Sequence, residues 1–95
     1  MEIDFTFRGL SRSGSLMEHI ERLAEHLPVQ SCRVVVEIPK RRCIRVRVEL
    51  AAPRLVAESE SDDAFVAARE AFDAARRQFG DWAERRRALR PQPTD

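Results

Sequence analysis

Residues 2–8 alternate without a break, with Ile3, Phe5 and Phe7 on one side and Glu2, Asp4, Thr6 and Arg8 on the other. A period of two with β-branched and aromatic residues predicts a strand with one buried face. Gly9 to Gly14 reads as a loop rich in serine and glycine. Ser15, followed three residues later by Glu18, has the form of a capping box, in which each side chain satisfies an orphan amide at a helix start. Leu16, Ile20, Leu23 and Leu27 recur at helical spacing, which predicts an amphipathic helix over 16–27 closed by Pro28.

Two further alternations follow. Cys32, Val34, Val36 and Ile38 interleave with Arg33, Val35 and Glu37, and Ile44, Val46, Val48 and Leu50 interleave with Arg45, Arg47 and Glu49. Between them Pro39 to Arg42 forms a tight basic connection, which as a four-residue loop sets Ile38 opposite Cys43. After a turn around Pro53, Leu55 to Ser59 is a shorter fourth strand. Ser61 is placed to cap a second helix, with Asp62 and Asp63 where the helix dipole favours negative charge. Phe65, Ala68, Phe72, Ala75, Phe79 and Trp82 then recur every three or four residues and carry that helix to about Leu89. Gly80 in its interior costs about 1 kcal/mol relative to alanine.

The predicted fold is α+β, in the order β-α-β-β-β-α. The strand–helix–strand crossover makes the first two strands parallel, and the short turns make the last three an antiparallel meander. Both apolar helix stripes are then buried on one face of a four-stranded mixed sheet. The other face carries Glu2, Asp4, Thr6, Arg8, Arg33, Glu37, Arg45, Arg47, Glu49 and Glu58, with Val35 and Val56 among them. Residues 1–90 form a single domain on this reading, and 91–95, with Pro91 and Pro93, a short disordered tail.

Charge changes the picture more than size does. Seventeen basic and 16 acidic residues leave a formal charge of only +1, so a diffuse polybasic clamp is excluded and any nucleic-acid site must come from placement. No apolar run approaches the roughly 20 residues of a membrane span, so no membrane partner is expected. The N-terminus lacks the form of a signal peptide, and two cysteines do not make a disulfide scaffold, so a reducing cytoplasm is expected.

Enzyme readings find little support. His19 and His26 lie seven apart on the first helix and belong to no recognisable catalytic motif, and no phosphate loop or nucleophile elbow is present. In the predicted hairpin Cys32 lies far along the ladder from Cys43, beyond the roughly 7 Å that a bridge allows, and both read as buried thiols. No metal, cofactor or small-molecule substrate is implied. Trp82 and the phenylalanines fall on the core stripe, which leaves the sheet without a platform for stacking bases.

Basic placement remains. Lys40, Arg41 and Arg42 crowd one hairpin tip. Arg69, Arg76, Arg77, Arg85, Arg86, Arg87 and Arg90 follow the second helix, interleaved with Glu70, Asp73, Asp81 and Glu84. One reading is a solvated helix with pairs such as Asp73–Arg77 and Asp81–Arg85. The other is a phosphate-binding stripe built on guanidinium forks. Charge alone leaves both open.

The whole chain resembles the short form of the ribosome hibernation-promoting factor family, also described as ribosome-associated inhibitors or sigma-54 modulation proteins, as a divergent member. The likeness begins with Met-Glu-Ile-Asp-Phe-Thr at 1–6 and continues through Leu16, Glu18 and Ile20. It is strongest from Leu55 through Asp63, Phe65 and Ala67 to Asp73 and Arg77-Gln-Phe79. The resemblance implies a non-enzymatic protein on the small ribosomal subunit, binding ribosomal RNA phosphates in the decoding region and silencing idle ribosomes. It assigns RNA contacts to Lys40, Arg77 and Arg85, and placement adds Arg8, Arg22, Arg41, Arg42, Arg76 and Arg86. The chain ends before the second domain by which long forms pair ribosomes, so self-driven ribosome dimerisation is not expected; the protein itself is expected to be a monomer or weak homodimer. It departs from the family pattern at His26, Ala74, Asp81 and Ala83, where lysines are usual, and in Arg45 and Arg47. These departures motivate an alternative, a protein-interaction module that keeps the fold without the ribosome.

Overall fold

The alternating segments pair into one four-stranded sheet because each has a complete apolar face to bury. The computed structural model describes residues 1–89, in the order β1 (Glu2–Arg8), α1 (Gly14–Ala24), β2 (Ser31–Lys40), β3 (Cys43–Ala51), β4 (Arg54–Ser61) and α2 (Ala64–Leu89). The strands lie in the spatial order β1-β2-β3-β4. β1 runs parallel to β2, and β2, β3 and β4 form the antiparallel meander. The predicted α+β architecture is the observed one. Arg90 and the tail assigned to 91–95 lie outside the described residues.

Val34, Val36, Val46 and Val48 are fully buried under Leu16, Ile20 and Ala24 of α1 and under Ala67, Ala68, Ala71, Phe72 and Ala75 of α2. The run of alanines lets α2 approach the sheet closely, and Phe72 fills the space between the helices. Both helices run back along the sheet, opposite in direction to the strands they follow. Phe79 packs only at the margin of this core, and beyond it α2 extends past the sheet.

Several local expectations are corrected. The cap of α1 is Ser13, whose hydroxyl accepts from the Leu16 amide at 3.3 Å, so the helix starts before Ser15 and ends at Ala24, short of Pro28. Leu27 is buried all the same, because the chain continues across the same face after the helix ends. Asp63 rather than Ser61 starts α2: its carboxylate accepts from the Phe65 amide at 2.9 Å, and its carbonyl from Ala67 at 3.0 Å. Ser61 ends β4 instead, where its hydroxyl accepts from the Asp63 amide. Phe65, in the first turn, lies off the core, 41% exposed and with its ring 5.2 Å from His19. Trp82 too is only half-buried, since no sheet lies beneath it. At the hairpin the pair is Lys40 with Cys43, not Ile38 with Cys43, because the register shifts between Glu37 and Lys40.

Candidate nucleic-acid interface

The register shift shortens the β2–β3 turn to Arg41 and Arg42. Arg42 has φ 57°, in the left-handed region where glycine or asparagine is usual and where another residue costs about 1 kcal/mol. Lys40, Arg41 and Arg42 are all exposed, and among the described residues none of them forms an ion pair. Arg8, on the strand beside β2, lies near the same end. Its side chain is 66% exposed and only loosely held, 3.9 Å from Glu37.

The open face of the sheet is neutralised internally. Arg45 stands across the strands from Glu37 and Glu60, and donates to Glu60 Oε1 at 2.6 and 2.9 Å and to Glu37 at 3.4 Å. Arg47 reaches Glu58 at 3.2 Å, and Arg33 reaches Asp4 at 3.4 Å. The hydrogen bonds from Arg45, then the one from the Cys43 thiol, hold the Glu60 carboxyl below the usual carboxylate range. The same contacts push the Arg45 guanidinium up. Partial burial and the neighbouring Glu60 carboxylate push the Cys43 thiol up, and burial does the same for Cys32. Both cysteines are free, but only Cys32 is buried; Cys43 is half-buried, 3.5 Å from Glu60 Oε2.

Along the helices the expected Asp73–Arg77 pair is replaced. Asp73 accepts from Arg76 at 2.8 Å, one residue closer, and Arg77 is exposed without an ion pair among the described residues. Arg22 is exposed in the last turn of α1. Between the helices a shallow groove of about 250 Å³ is lined by His26, Arg69, Asp73 and Arg76 over Leu23, Leu27 and Phe72. Arg69 was not among the predicted contacts. Its spacing of seven from Arg76, two helical turns, is the signal that places both on one side. Past the sheet, Arg86 lies 5.2 Å over the Trp82 ring, which packs 5.4 Å from Phe79. Arg85 and Arg87 are exposed beside it.

These groups do not converge on one pocket. β4 ends where β3 begins, with Ile44 opposite Ser61, so α2 starts at the hairpin end of the sheet and runs away from it. At 1.5 Å per residue, Arg85 lies about 32 Å farther along than the start of α2. The predicted residues therefore form three stations: Arg8 with Lys40, Arg41 and Arg42; then Arg22, Arg76 and Arg77; then Arg85 and Arg86. The molecule is 59 Å long. Spaced cations of this kind match a long polyanion better than a single phosphate group. A wider concavity at the other ends of β1 and β2 has the wrong sign, since Glu2, Asp4 and Glu49 outnumber Arg33 in its wall.

The sequence over residues 3–87 matches the family described as sigma 54 modulation protein / S30EA ribosomal protein. The chain belongs to this family. Solved structures agree with the family's fold. A ribosomal subunit interface protein from Coxiella burnetii superposes with a TM-score of 0.75 at 19% identity, covering 88% of this chain and 99% of its own. The Protein Y N-terminal domain from Thermus thermophilus gives 0.69 at 19% identity, covering 86% and 99%. No curated protein matches the chain in sequence. Among the described residues, no helix is long and apolar enough to cross a membrane, and no three metal-ligating side chains cluster.

Proposed function

We propose that this protein is a non-enzymatic ribosome hibernation factor that binds the RNA of the small ribosomal subunit in the cytoplasm and occludes the decoding region. One observation carries the reading: the arginines of the sheet face are neutralised by partners, while the hairpin tip and the exposed side of α2 present cations that are not. Such an arrangement leaves fixed positive charge for RNA phosphates on a chain whose net charge is near zero. The family's description as a ribosomal protein and the name of the Coxiella protein, a ribosomal subunit interface protein, support the choice of partner. Lys40, Arg41, Arg42, Arg77 and Arg85 are the principal phosphate contacts, with Arg8, Arg22, Arg76 and Arg86 secondary.

Co-sedimentation with purified small subunits across a salt series tests this. Binding falls as salt rises, and each phosphate-contacting cation removed reduces the log–log slope by about one. Absence of binding by folded protein at low salt overturns the proposal. That outcome favours a second reading, a protein-interaction module, for which the self-neutralised sheet face is the supporting observation.

A further inference from the structure

We propose that β1 is a self-recognition edge, by which two copies of this chain pair antiparallel and fuse their sheets into one of eight strands. The ladder geometry determines which groups are free to do this. The Glu2 amide donates to the Gln30 carbonyl at 2.9 Å, while Glu2 itself is level with Ser31. In a parallel ladder this turns the backbone groups of Glu2, Asp4, Thr6 and Arg8 toward β2, and those of Ile3, Phe5 and Phe7 away from the sheet. The Phe5 carbonyl confirms it, since it accepts from the Arg12 guanidinium at 3.4 Å. β1 has seven residues with no proline, and its pairing with β2 is unbroken, so it lacks two devices by which edges are usually protected. The two edges differ. At β4, Gln78 of α2 donates to the Val56 carbonyl and Glu70 accepts from Ser59. At β1, Ile3, Phe5 and Phe7 are only partly buried.

A second copy fits this edge by register and by charge. Antiparallel pairing centred on Phe5 sets Phe5 opposite Phe5 and Ile3 opposite Phe7, each pair exchanging two hydrogen bonds through groups that already face outward. The intervening positions, where opposed side chains come closest, then place Glu2 opposite Arg8 at both ends and Asp4 opposite Thr6. Sliding the partner toward Ile3 sets Asp4 against Asp4, and sliding it toward Phe7 leaves Ile3 unpaired. The centred register alone uses every outward group, and it opposes no like charges. Arg12, which holds the Phe5 carbonyl and lies 5.8 Å from the Phe7 ring centroid, occupies this edge in the monomer and competes with the second copy.

Sedimentation velocity on the full chain, from low micromolar to near millimolar and without RNA, reads the association. A monomer–dimer equilibrium is expected, weakened about tenfold by Glu2→Arg and restored by Glu2→Arg with Arg8→Glu. Arg12→Ala strengthens it. Amide exchange at Ile3, Phe5 and Phe7 slows with concentration while exchange elsewhere does not. A monomer at every concentration, including with Arg12→Ala, overturns the proposal. So does a dimer indifferent to Glu2→Arg, which assigns the contact to another surface. Because RNA is absent, either result is independent of ribosome binding.

Discussion

On the open face of the sheet, Arg33, Arg45 and Arg47 each stand across a strand from a carboxylate that holds them. On the hairpin tip and the exposed side of α2, Lys40, Arg41, Arg42, Arg77 and Arg85 have no such neighbour among the described residues. The side chains are nearly the same, but their availability is opposite. A formal charge of +1 conceals this, because Asp4, Glu37, Glu58 and Glu60 are already held by arginines on the sheet face while other cations are displayed unpaired elsewhere. Net charge is a sum, whereas recognition of a polyanion depends on which charges remain uncompensated.

The largest effect expected from breaking this contrast is on the tip. Reversing Lys40, Arg41 and Arg42 to glutamate removes three charge-assisted contacts at about 1 kcal/mol or more each, so small-subunit affinity falls by about a hundredfold or more. The melting temperature stays unchanged within a degree or two, because none of the three is buried or paired. Affinity that survives the reversal removes the tip from the interface.

The adjacent arginines of α2 sharpen the contrast within one helical turn. Arg77→Ala is expected to weaken binding about fivefold, for a loss of about 1 kcal/mol. Arg76→Ala has a smaller effect, since Asp73 already neutralises that charge at 2.8 Å. Equal losses measured by co-sedimentation at fixed salt would show that pairing in the free protein does not govern availability.

Arg42 separates fold from function at a single position. Arg42→Gly relieves the left-handed strain at φ 57° but adds freedom to the unfolded chain, so stability changes by no more than about 1 kcal/mol, in the favourable direction if strain dominates. Affinity falls two- to threefold in the same variant. Thermal melts and co-sedimentation on one preparation measure both.

How much of this was legible in the sequence follows from what each pattern encodes. Strict alternation specifies which residues face the core, so the strands and the buried Val34, Val36, Val46 and Val48 could be read directly, whereas the spatial order of the strands could not. Caps could not, because serines and aspartates crowd both helix starts: Ser13 competes with Ser15, and Asp63 with Ser61. That ambiguity moved the start of α2 by two residues. The bulge between Glu37 and Lys40 falls at Pro39, which cannot donate to the ladder of an inner strand, and it narrowed the tip to Arg41 and Arg42. For the site, the residue types were visible but their pairing was not. Whether Asp73 holds Arg76 or Arg77 depends on side-chain geometry within one turn. Whether Arg45 is neutralised depends on strand registers that bring Glu37 and Glu60 to it from opposite sides.

That last cluster gives the smallest predicted effect and the cleanest test of the paired side of the contrast. Arg45 holds the Glu60 carboxyl below its ordinary value, so the folded state binds the proton less readily than the unfolded chain does. A depressed carboxyl contributes stability above the unfolded pKa of about 4.3 and loses it as pH falls through the lower, folded value. The Glu60→Gln variant lacks that titration. Its melting temperature should lie a few degrees below that of the parent at pH 7, and the gap should close progressively below about pH 4. Small-subunit binding at pH 7 should be the same for both proteins, because this charge pair lies outside the proposed phosphate contacts. A gap independent of pH would show that Glu60 contributes packing alone. A loss of binding would move the interface onto the sheet and reverse the contrast between the two sets of arginines.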